Sequence, residues 1–176
     1  MTDSELKLII EAASRREAEA FRLLYEDLEP RIFPYVVSRV TSREKATDLT
    51  QDILTDVFLA IPSFTYKTVG QWYAFVFTIV RRTLARHYAR QTQEHANRTD
   101  IDTDSVQVDG NLSVEELATV TKALESLDQV TRDIVVLHHW SRYTFGEIAQ
   151  LLNLAETTVR TRHHRAKATL SHLLDW

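Results

Sequence analysis

The sequence predicts an all-α protein, with two helical domains joined by a flexible linker. Its 176 residues include only three glycines and three prolines, which is few for a sheet protein with many tight turns. The apolar content of 44% is enough to build hydrophobic cores. Apolar residues recur at helical spacing in two long stretches, and a polar segment without periodicity separates them. These observations together favour two packed helical units.

The first stretch, residues 1–92, predicts a four-helix domain. Apolar positions keep helical spacing across residues 5–28, and Pro30 is expected to open a second helix at its first turn. Residues 46–61 predict an amphipathic third helix that stops before a proline. An aromatic-rich fourth helix is expected over residues 72–90.

The periodicity is lost over residues 93–112, which predict the linker. The overlapping stretch 99–116 contains six acidic residues and no Lys or Arg. Helical structure is expected to resume in a second domain, residues 113–176, because Ser113 and Glu116 have the spacing of a capping box.

The second domain carries the pattern of a helix-turn-helix. Thr144 and Glu147 form a second capping box before a short helix, and Asn153 tolerates the left-handed conformation that a tight turn often needs. The helix after the turn is predicted to present hydrogen-bond donors for phosphates and base edges. These candidate DNA-binding residues are Thr157, Thr158, Arg160, Thr161, Arg162, His164, Arg165 and Lys167. A solvated basic face on a core helix is the alternative interpretation.

The charge distribution is compatible with DNA binding although the formal net charge is −4. Residues 78–98 contain five arginines and one acid, and residues 157–170 contain four basic residues and no acid. The local field decides where a polyanion binds, so two basic segments separated by an acidic one favour nucleic acid as the partner.

Several functional classes are not indicated by this sequence. It has no phosphate-binding glycine loop, nucleophile elbow or pair of catalytic carboxylates, so we expect neither an enzyme nor a cofactor. The absence of cysteine excludes thiolate zinc sites and fits a reducing compartment, and the histidine pairs lack a metal-binding spacing, so no metal is expected. Without a secretory signal or a long apolar run, the chain is expected to be cytoplasmic, with no membrane partner.

The second domain resembles region 4 of the extracytoplasmic-function (ECF) group of sigma-70-family factors. The stretch ALESLDQVTRDIVVLHHWSRYTFGEIAQLLNLAETTVRTRHHRAKATLSHLL matches the family pattern in register. The matching residues are Ala123, Leu124, Leu127, Arg132, Glu147, Ile148, Ala149, Leu154, Thr158, Val159, Arg162, Arg165, Ala166 and Leu170. The first domain resembles region 2 of the same group through Ala20-Phe21 with Leu24-Tyr25, Asp48–Asp52 and Thr78–Arg82.

The resemblance implies a factor that brings core RNA polymerase to promoter DNA. Region 2 of such factors binds a coiled coil of the polymerase β′ subunit, which suggests Asp48, Gln51, Asp52 and Asp56 as contacts. It also opens the −10 element, which suggests Trp72, Tyr73, Arg81, Arg82, Arg86 and Arg90, because cations beside aromatic rings suit a separated strand. Region 4 binds the β flap and reads the −35 element. Core packing is the alternative for the aromatic rings.

Region 2 departs from the family pattern at its acidic cluster, which here reads Lys45-Ala46-Thr47-Asp48. Phosphorylation of Thr47 or Thr50 would add about −1.5 to −2 charges at this place. We therefore hypothesise activation by a Ser/Thr kinase, as is known for a minority of the family, with control by an anti-sigma factor as the alternative. A competing function is a stand-alone helix-turn-helix regulator, whose sensor or dimerisation domain would have no reason to carry the region 2 motifs.

Overall fold

The computed structural model describes residues 2–40, 42–96, 123, 124 and 126–171, and within these ranges the regular secondary structure is helical. The all-α prediction is therefore confirmed. The first domain contains α1 (Asp3–Ser14), α2 (Ala18–Val37), α3 (Arg43–Ala60) and α4 (Val69–Ala96), with a 3-10 turn at Ile61–Ser63 after α3. The second contains α5 (Gln129–His139), α6 (Phe145–Leu152) and α7 (Glu156–Ser171).

The boundary between the first two helices differs from the prediction. The break lies at residues 15–17, where Arg16 has a φ of 64°, and Pro30 lies inside α2 instead of opening a helix. A proline in a helix interior removes one backbone hydrogen bond and costs about 3 kcal/mol. The apolar stripe of α2 nevertheless continues across the proline, because Leu28 and Ile32 are both buried at helical spacing. Burial of this stripe is the interaction that keeps α2 continuous.

The core of the first domain lies between α2, α3 and α4. Leu24 of α2, Ile53 and Val57 of α3 and Trp72 of α4 are each 0% exposed. Burying side chains of this size stabilises a fold by roughly 1.5–3 kcal/mol each. The position of α4 is therefore fixed along its apolar face.

The second domain has the predicted helix-turn-helix geometry. Thr144 accepts from the backbone N–H of Glu147 and the Glu147 side chain accepts from that of Thr144, which confirms the capping box at the start of α6. Asn153 ends α6 with φ 54° and ψ 50°, the left-handed conformation expected from its sequence position. Ile148 of α6 and Val159 of α7 are 0% exposed, so the two helices share a core.

The region between the domains is described only in part. Helix α4 runs to Ala96, which makes the first four residues of the predicted linker helical. The rest of the linker and the predicted capping box of Ser113 and Glu116 lie outside the described residues.

The two domains contact each other through α2 with α5 and through α4 with α6. At the second contact, Gly70 of α4 lies against the side chain of Gln150, so that a Cβ at Gly70 would collide with it. In the described ranges, the helices are too short or too polar to cross a membrane.

The turn at Asn153 yields a stability prediction. Asn153→Val should lower the free energy of unfolding by about 1–2 kcal/mol, because a β-branched residue disfavours the left-handed conformation. Asn153→Gly relieves that backbone restriction and should leave stability within a few tenths of a kcal/mol of the wild type. Urea unfolding followed by circular dichroism measures both, and equal losses in the two variants would contradict this account.

Candidate nucleic-acid interface

The solvent face of α7 carries most of the donors predicted to contact DNA. Val159, Ala166 and Leu170 are buried on its inner face. The exposed members of the predicted set are Thr157, Thr158, Arg160, Thr161, His164, Arg165 and Lys167. Arg160 is held by an ion pair with Glu156 one turn earlier, and its guanidinium lies 5.0 Å from the centre of the Phe145 ring. The arrangement presents hydroxyl, imidazole and cationic groups along one face.

A cleft of about 620 Å³ lies between α7 and the start of α5. Its walls are largely polar and cationic, with hydroxyl groups from both helices. The lining residues are Ser126, Leu127, Asp128, Thr131, Thr157, Thr158, Thr161, Arg162, Arg165, Ala166 and Thr169. This composition suits an anionic or polar ligand better than an apolar one.

Arg162 has a positioning role that the sequence does not reveal. Its guanidinium donates to both oxygens of Asp128 at 3.1 and 3.2 Å and to the hydroxyl of Thr131 at 3.0 Å. Asp128 is also the N-cap of α5, and the pKa of its carboxyl is lowered by hydrogen bonds from Thr131 and by Arg162. Arg162 thus links α7 to α5, while its side chain remains 40% exposed, and its predicted contact with DNA stays a prediction.

Three histidines join α5 and α7. The Nε2 atoms of His139 and His163 are 2.9 Å apart and their ring centres 5.1 Å apart. These two distances fit rings that meet end to end in an N–H···N hydrogen bond. His138 stacks on Phe145 with ring centres 4.2 Å apart and hydrogen-bonds the Tyr143 carbonyl through Nδ1. His139 and His163 are 24 residues apart in the sequence, so no local pattern could indicate that they pair.

Two of these histidines, His139 and His163, have lowered pKa values. Burial lowers the pKa of His139, and burial together with neighbouring His138 and His139 lowers that of His163 to about 4. Both pKa values are lowered because the neutral rings are favoured in the packed site.

The exposed face of α3 carries the residues predicted to contact polymerase. Asp48, Gln51 and Asp52 are exposed on consecutive turns. Leu59 continues this side of the helix and is 69% exposed, although it is not among the predicted contacts. An apolar residue among polar ones on the solvent side of an amphipathic helix is the signal that would have identified it. We call Asp48, Gln51, Asp52 and Leu59 the α3 surface.

Asp56 differs from the other predicted polymerase contacts. It is 28% exposed, forms an ion pair with Arg86 of α4 and accepts a 2.8 Å hydrogen bond from the hydroxyl of Thr83. Asp56 therefore links α3 to α4. Arg86, which was predicted to contact the −10 element, takes part in the same contact.

The two candidate phosphorylation sites have different environments. Thr50 is 3% exposed and its hydroxyl donates to the Ala46 carbonyl at 2.7 Å, so it is inaccessible to a kinase in this fold. Thr47 is exposed, with its hydroxyl 3.1 Å from the Arg43 carbonyl. The kinase hypothesis is therefore restricted to Thr47.

The predicted −10 residues on α4 divide into exposed cations and buried rings. Arg81, Arg82 and Arg90 are exposed. Trp72 is 0% exposed and packs on Phe64 and Phe75 at 5.4 and 5.9 Å between ring centres. Trp72 is therefore a core residue, and its predicted contact with DNA is corrected.

Tyr73 is also buried, but between the domains. Its side chain is 4% exposed, its hydroxyl donates to Asp27 at 2.9 Å, and its ring meets that of Tyr143 edge to face. Tyr73 was predicted to contact the −10 element, and its burial excludes that contact in this arrangement of the domains.

Comparison with known proteins identifies the family. The family model of Sigma-70 region 2 matches residues 24–94, and that of Sigma-70 region 4 matches residues 113–170. The ECF RNA polymerase sigma factor SigM of Mycobacterium tuberculosis is 32% identical over 143 residues, covering 80% of this chain and 70% of SigM. The chain belongs to the ECF sigma factors of the sigma-70 family.

Two further proteins are similar to this ECF sigma factor, one in sequence and one in structure. BldN of Streptomyces coelicolor, also an ECF sigma factor, is 28% identical over 94% of this chain and 64% of BldN. The sigma factor RpoE of Bartonella quintana, solved in complex with the anti-sigma factor NepR, has the same fold. It superposes with a TM-score of 0.69 at 23% identity, covering 90% of this chain and 98% of RpoE.

The histidine pair yields a pH prediction. The stability of the wild type should fall as the pH decreases from about 6.5 towards 4, because the unfolded chain takes up a proton at His163 that the folded state resists. Above pH 6.5, the pKa of His163 in the unfolded chain, the ring is neutral in both the folded and the unfolded state. Its contribution to the free energy of unfolding is therefore constant there. His163→Gln does not titrate and should give a flatter profile between these values, measured by urea unfolding at half-unit pH steps.

His87→Gln on α4 is the control for that experiment, since His87 lies in the first domain, outside the histidine cluster. Parallel profiles for the wild type and His163→Gln would contradict the assignment.

Proposed function

We propose that this ECF sigma factor binds core RNA polymerase and directs it to specific promoters for transcription initiation. The observation that carries the proposal is the presence, in one chain, of a region 2 match and a region 4 match, each with an exposed surface of suitable chemistry. A stand-alone helix-turn-helix regulator is disfavoured, because it would not require the region 2 domain.

Helix α7 is proposed to read the −35 element from the major groove. A helix fits this groove, and hydroxyl and guanidinium donors match its acceptor-rich base edges. Thr157, Thr158, Thr161 and Arg165 line the open cleft on this side, while Arg162 holds the helix against α5. Base reading therefore falls to the exposed residues and positioning to Arg162.

Helix α4 is proposed to contact the −10 element through Arg81, Arg82 and Arg90, which are exposed. Arginines at a surface attract phosphates, and their planar groups stack on unpaired bases. Arg86 can add to this surface through the half of its side chain that is exposed beside Asp56. Trp72 supports the helix from the core.

The α3 surface is proposed to bind the coiled coil of the polymerase β′ subunit, and the region 4 domain the β flap. Support comes from the exposure of Asp48, Gln51 and Asp52 and from the apolar Leu59 about two turns further along the same side of α3. Carboxylates on the same side of a helix as an exposed leucine combine electrostatic steering with an apolar anchor, as protein interfaces do.

Control is proposed to act on the same surface. Phosphorylation of Thr47 by a Ser/Thr kinase would restore negative charge next to Lys45, where the family pattern is acidic. Sequestration by an anti-sigma factor is the alternative, supported by the complex in which the similar RpoE was solved.

Capture of purified core RNA polymerase by the immobilised protein tests the function and the kinase hypothesis together. Thr47→Glu should raise the captured fraction at least several-fold over the wild type, because it adds a carboxylate to the deficient surface. Thr78→Glu is the matched control, since Thr78 is also exposed and its hydroxyl also bonds the carbonyl four residues earlier. No gain from Thr47→Glu would exclude the kinase hypothesis, and no capture by any form would exclude the proposed function.

The different roles of two arginines on α7 give another prediction. In reconstituted holoenzyme, Arg165→Ala should weaken binding to promoter fragments by about 1–3 kcal/mol if Arg165 contacts a base edge. The free energy of unfolding of the Arg165→Ala variant should stay near the wild-type value. Arg162→Ala should instead lower the free energy of unfolding, because Asp128 and Thr131 lose a partner.

Fluorescence anisotropy on fragments selected by the wild-type holoenzyme measures the binding, and urea unfolding measures the stability. Arg22→Ala, an exposed arginine on α2, is the control. Unchanged promoter affinity in Arg165→Ala would remove that residue from the interface.

A further inference from the structure

The fold brings together two histidines that the sequence places on different helices. The adjacent pairs His138-His139 and His163-His164 have no metal-binding spacing, but one member of each pair meets the other between α5 and α7. The Nε2 atoms of His139 and His163 are 2.9 Å apart. His139 is exposed and His163 is half-buried, so solvent reaches the contact from one side.

The separation of these two nitrogens is that of neighbouring ligands in a tetragonal metal site. Imidazole nitrogens lie about 2.0–2.1 Å from a bound divalent transition metal, so two of them at right angles are about 2.9 Å apart. At the tetrahedral angle the same bond lengths place them about 3.4 Å apart. The observed 2.9 Å therefore fits the right-angled arrangement of Cu²⁺ and Ni²⁺ better than the tetrahedral one of Zn²⁺.

We propose that His139 and His163 form a binding site for a divalent metal ion of the copper and nickel class, with water in the remaining positions. In the ranges that the structure describes, no group of three or more potential ligand side chains is placed to hold a metal, so the protein supplies two ligands. The inference goes beyond the proposed function and does not depend on it. It also revises the expectation from the sequence that no metal binds.

Metal binding requires the hydrogen bond between the two rings to be given up. In an N–H···N bond between neutral imidazoles, one Nε2 carries a proton and the other accepts it. That proton moves to Nδ1 of its own ring by exchange with water, so both rings stay neutral and no net proton is released. Each Nε2 lone pair then turns from the other ring towards the metal. The exposure of His139 leaves room for its ring to turn.

The surroundings of the pair restrict which ions can bind. Lys167 lies close enough to act electrostatically on both His139 and His163, and its charge opposes any dication. A metal must therefore gain strongly from imidazole to bind here, as Cu²⁺ and Ni²⁺ do. Mg²⁺ and Ca²⁺ prefer oxygen ligands and should not bind at this place.

A bound metal would join the reading helix to the helix that supports it. His163 lies on α7 beside Phe145, with ring centres 4.9 Å apart, and His139 is the last residue of α5. Because the two ligands are held together only in the folded domain, the metal should bind the folded state more tightly than the unfolded one. It should therefore stabilise the packing of α7 on α5.

Calorimetric titration of the untagged, full-length protein with Ni²⁺ at about pH 7.5, where imidazoles are largely neutral, tests the site. The wild type should bind one tight equivalent. His139→Gln and His163→Gln should each weaken the affinity at least about tenfold, since disturbing even an outer partner of a metal ligand has such an effect. His164→Gln is the matched control, because His164 is an exposed neighbour on the same helix, and it should stay within about twofold of the wild type.

The geometry is tested with Cu²⁺ as the probe. Electron paramagnetic resonance of one bound equivalent should show a tetragonal spectrum with nitrogen couplings, and both ligand variants should lose it. Ni²⁺ should also raise the urea midpoint of the wild type and of His164→Gln, but not that of His139→Gln or His163→Gln. Far-ultraviolet circular dichroism checks that each variant keeps its helices.

Two results would overturn the proposal. Absence of Ni²⁺ binding, or equal affinity in the wild type and both ligand variants, would remove the site. Tighter binding of Zn²⁺ than of Ni²⁺ would contradict the tetragonal geometry. These measurements use the free protein, so a failure of polymerase capture would count against the proposed function and leave the metal result unaffected.

Discussion

Helix α4 is the element on which the arrangement of the molecule depends, because its faces meet different neighbours. Trp72 and Val76 are buried in the core of the first domain, and this packing fixes the helix axis. Arg81 and Arg82 are exposed, while Tyr73 lies under Tyr143 of the second domain. One buried stripe therefore determines both the direction of the proposed −10 surface and the placement of the second domain against α4.

The separation of charges among the helices explains how a chain with a net charge of −4 can bind DNA. Cations are concentrated on the solvent faces of α4 and α7, while the α3 surface is acidic. Because salt screens charges beyond about 8–10 Å, each surface acts largely on its own. A single small protein can thus present a basic face to nucleic acid and an acidic one to a protein partner.

The features that the sequence predicted well depend on neighbouring residues. The capping box of Thr144 and Glu147 and the left-handed turn at Asn153 follow from short-range hydrogen bonding and backbone sterics, and the structure has both. The break at Pro30 was wrong, because burial of Leu28 and Ile32 outweighs the helix-breaking tendency of proline. The role of Trp72 was ambiguous, since an aromatic ring on a helix can pack in a core or contact a ligand.

The features that the sequence did not predict are contacts between distant segments. Arg39 and Asp133 are 94 residues apart, and His139 and His163 are 24 residues apart, so no periodicity links either pair. Arg162 matched the family pattern, but its engagement with Asp128 and Thr131 depends on how α7 packs against α5. Such contacts decide which members of a predicted surface are free to bind.

The central claim is that this chain makes core RNA polymerase specific for promoters. Its most direct test is in vitro transcription of fragmented genomic DNA from the source organism by core polymerase, with and without the purified protein, followed by sequencing of the transcript 5′ ends. The account predicts new, discrete start sites that share −10 and −35 elements and that require the protein. Start sites identical in the two reactions would contradict it.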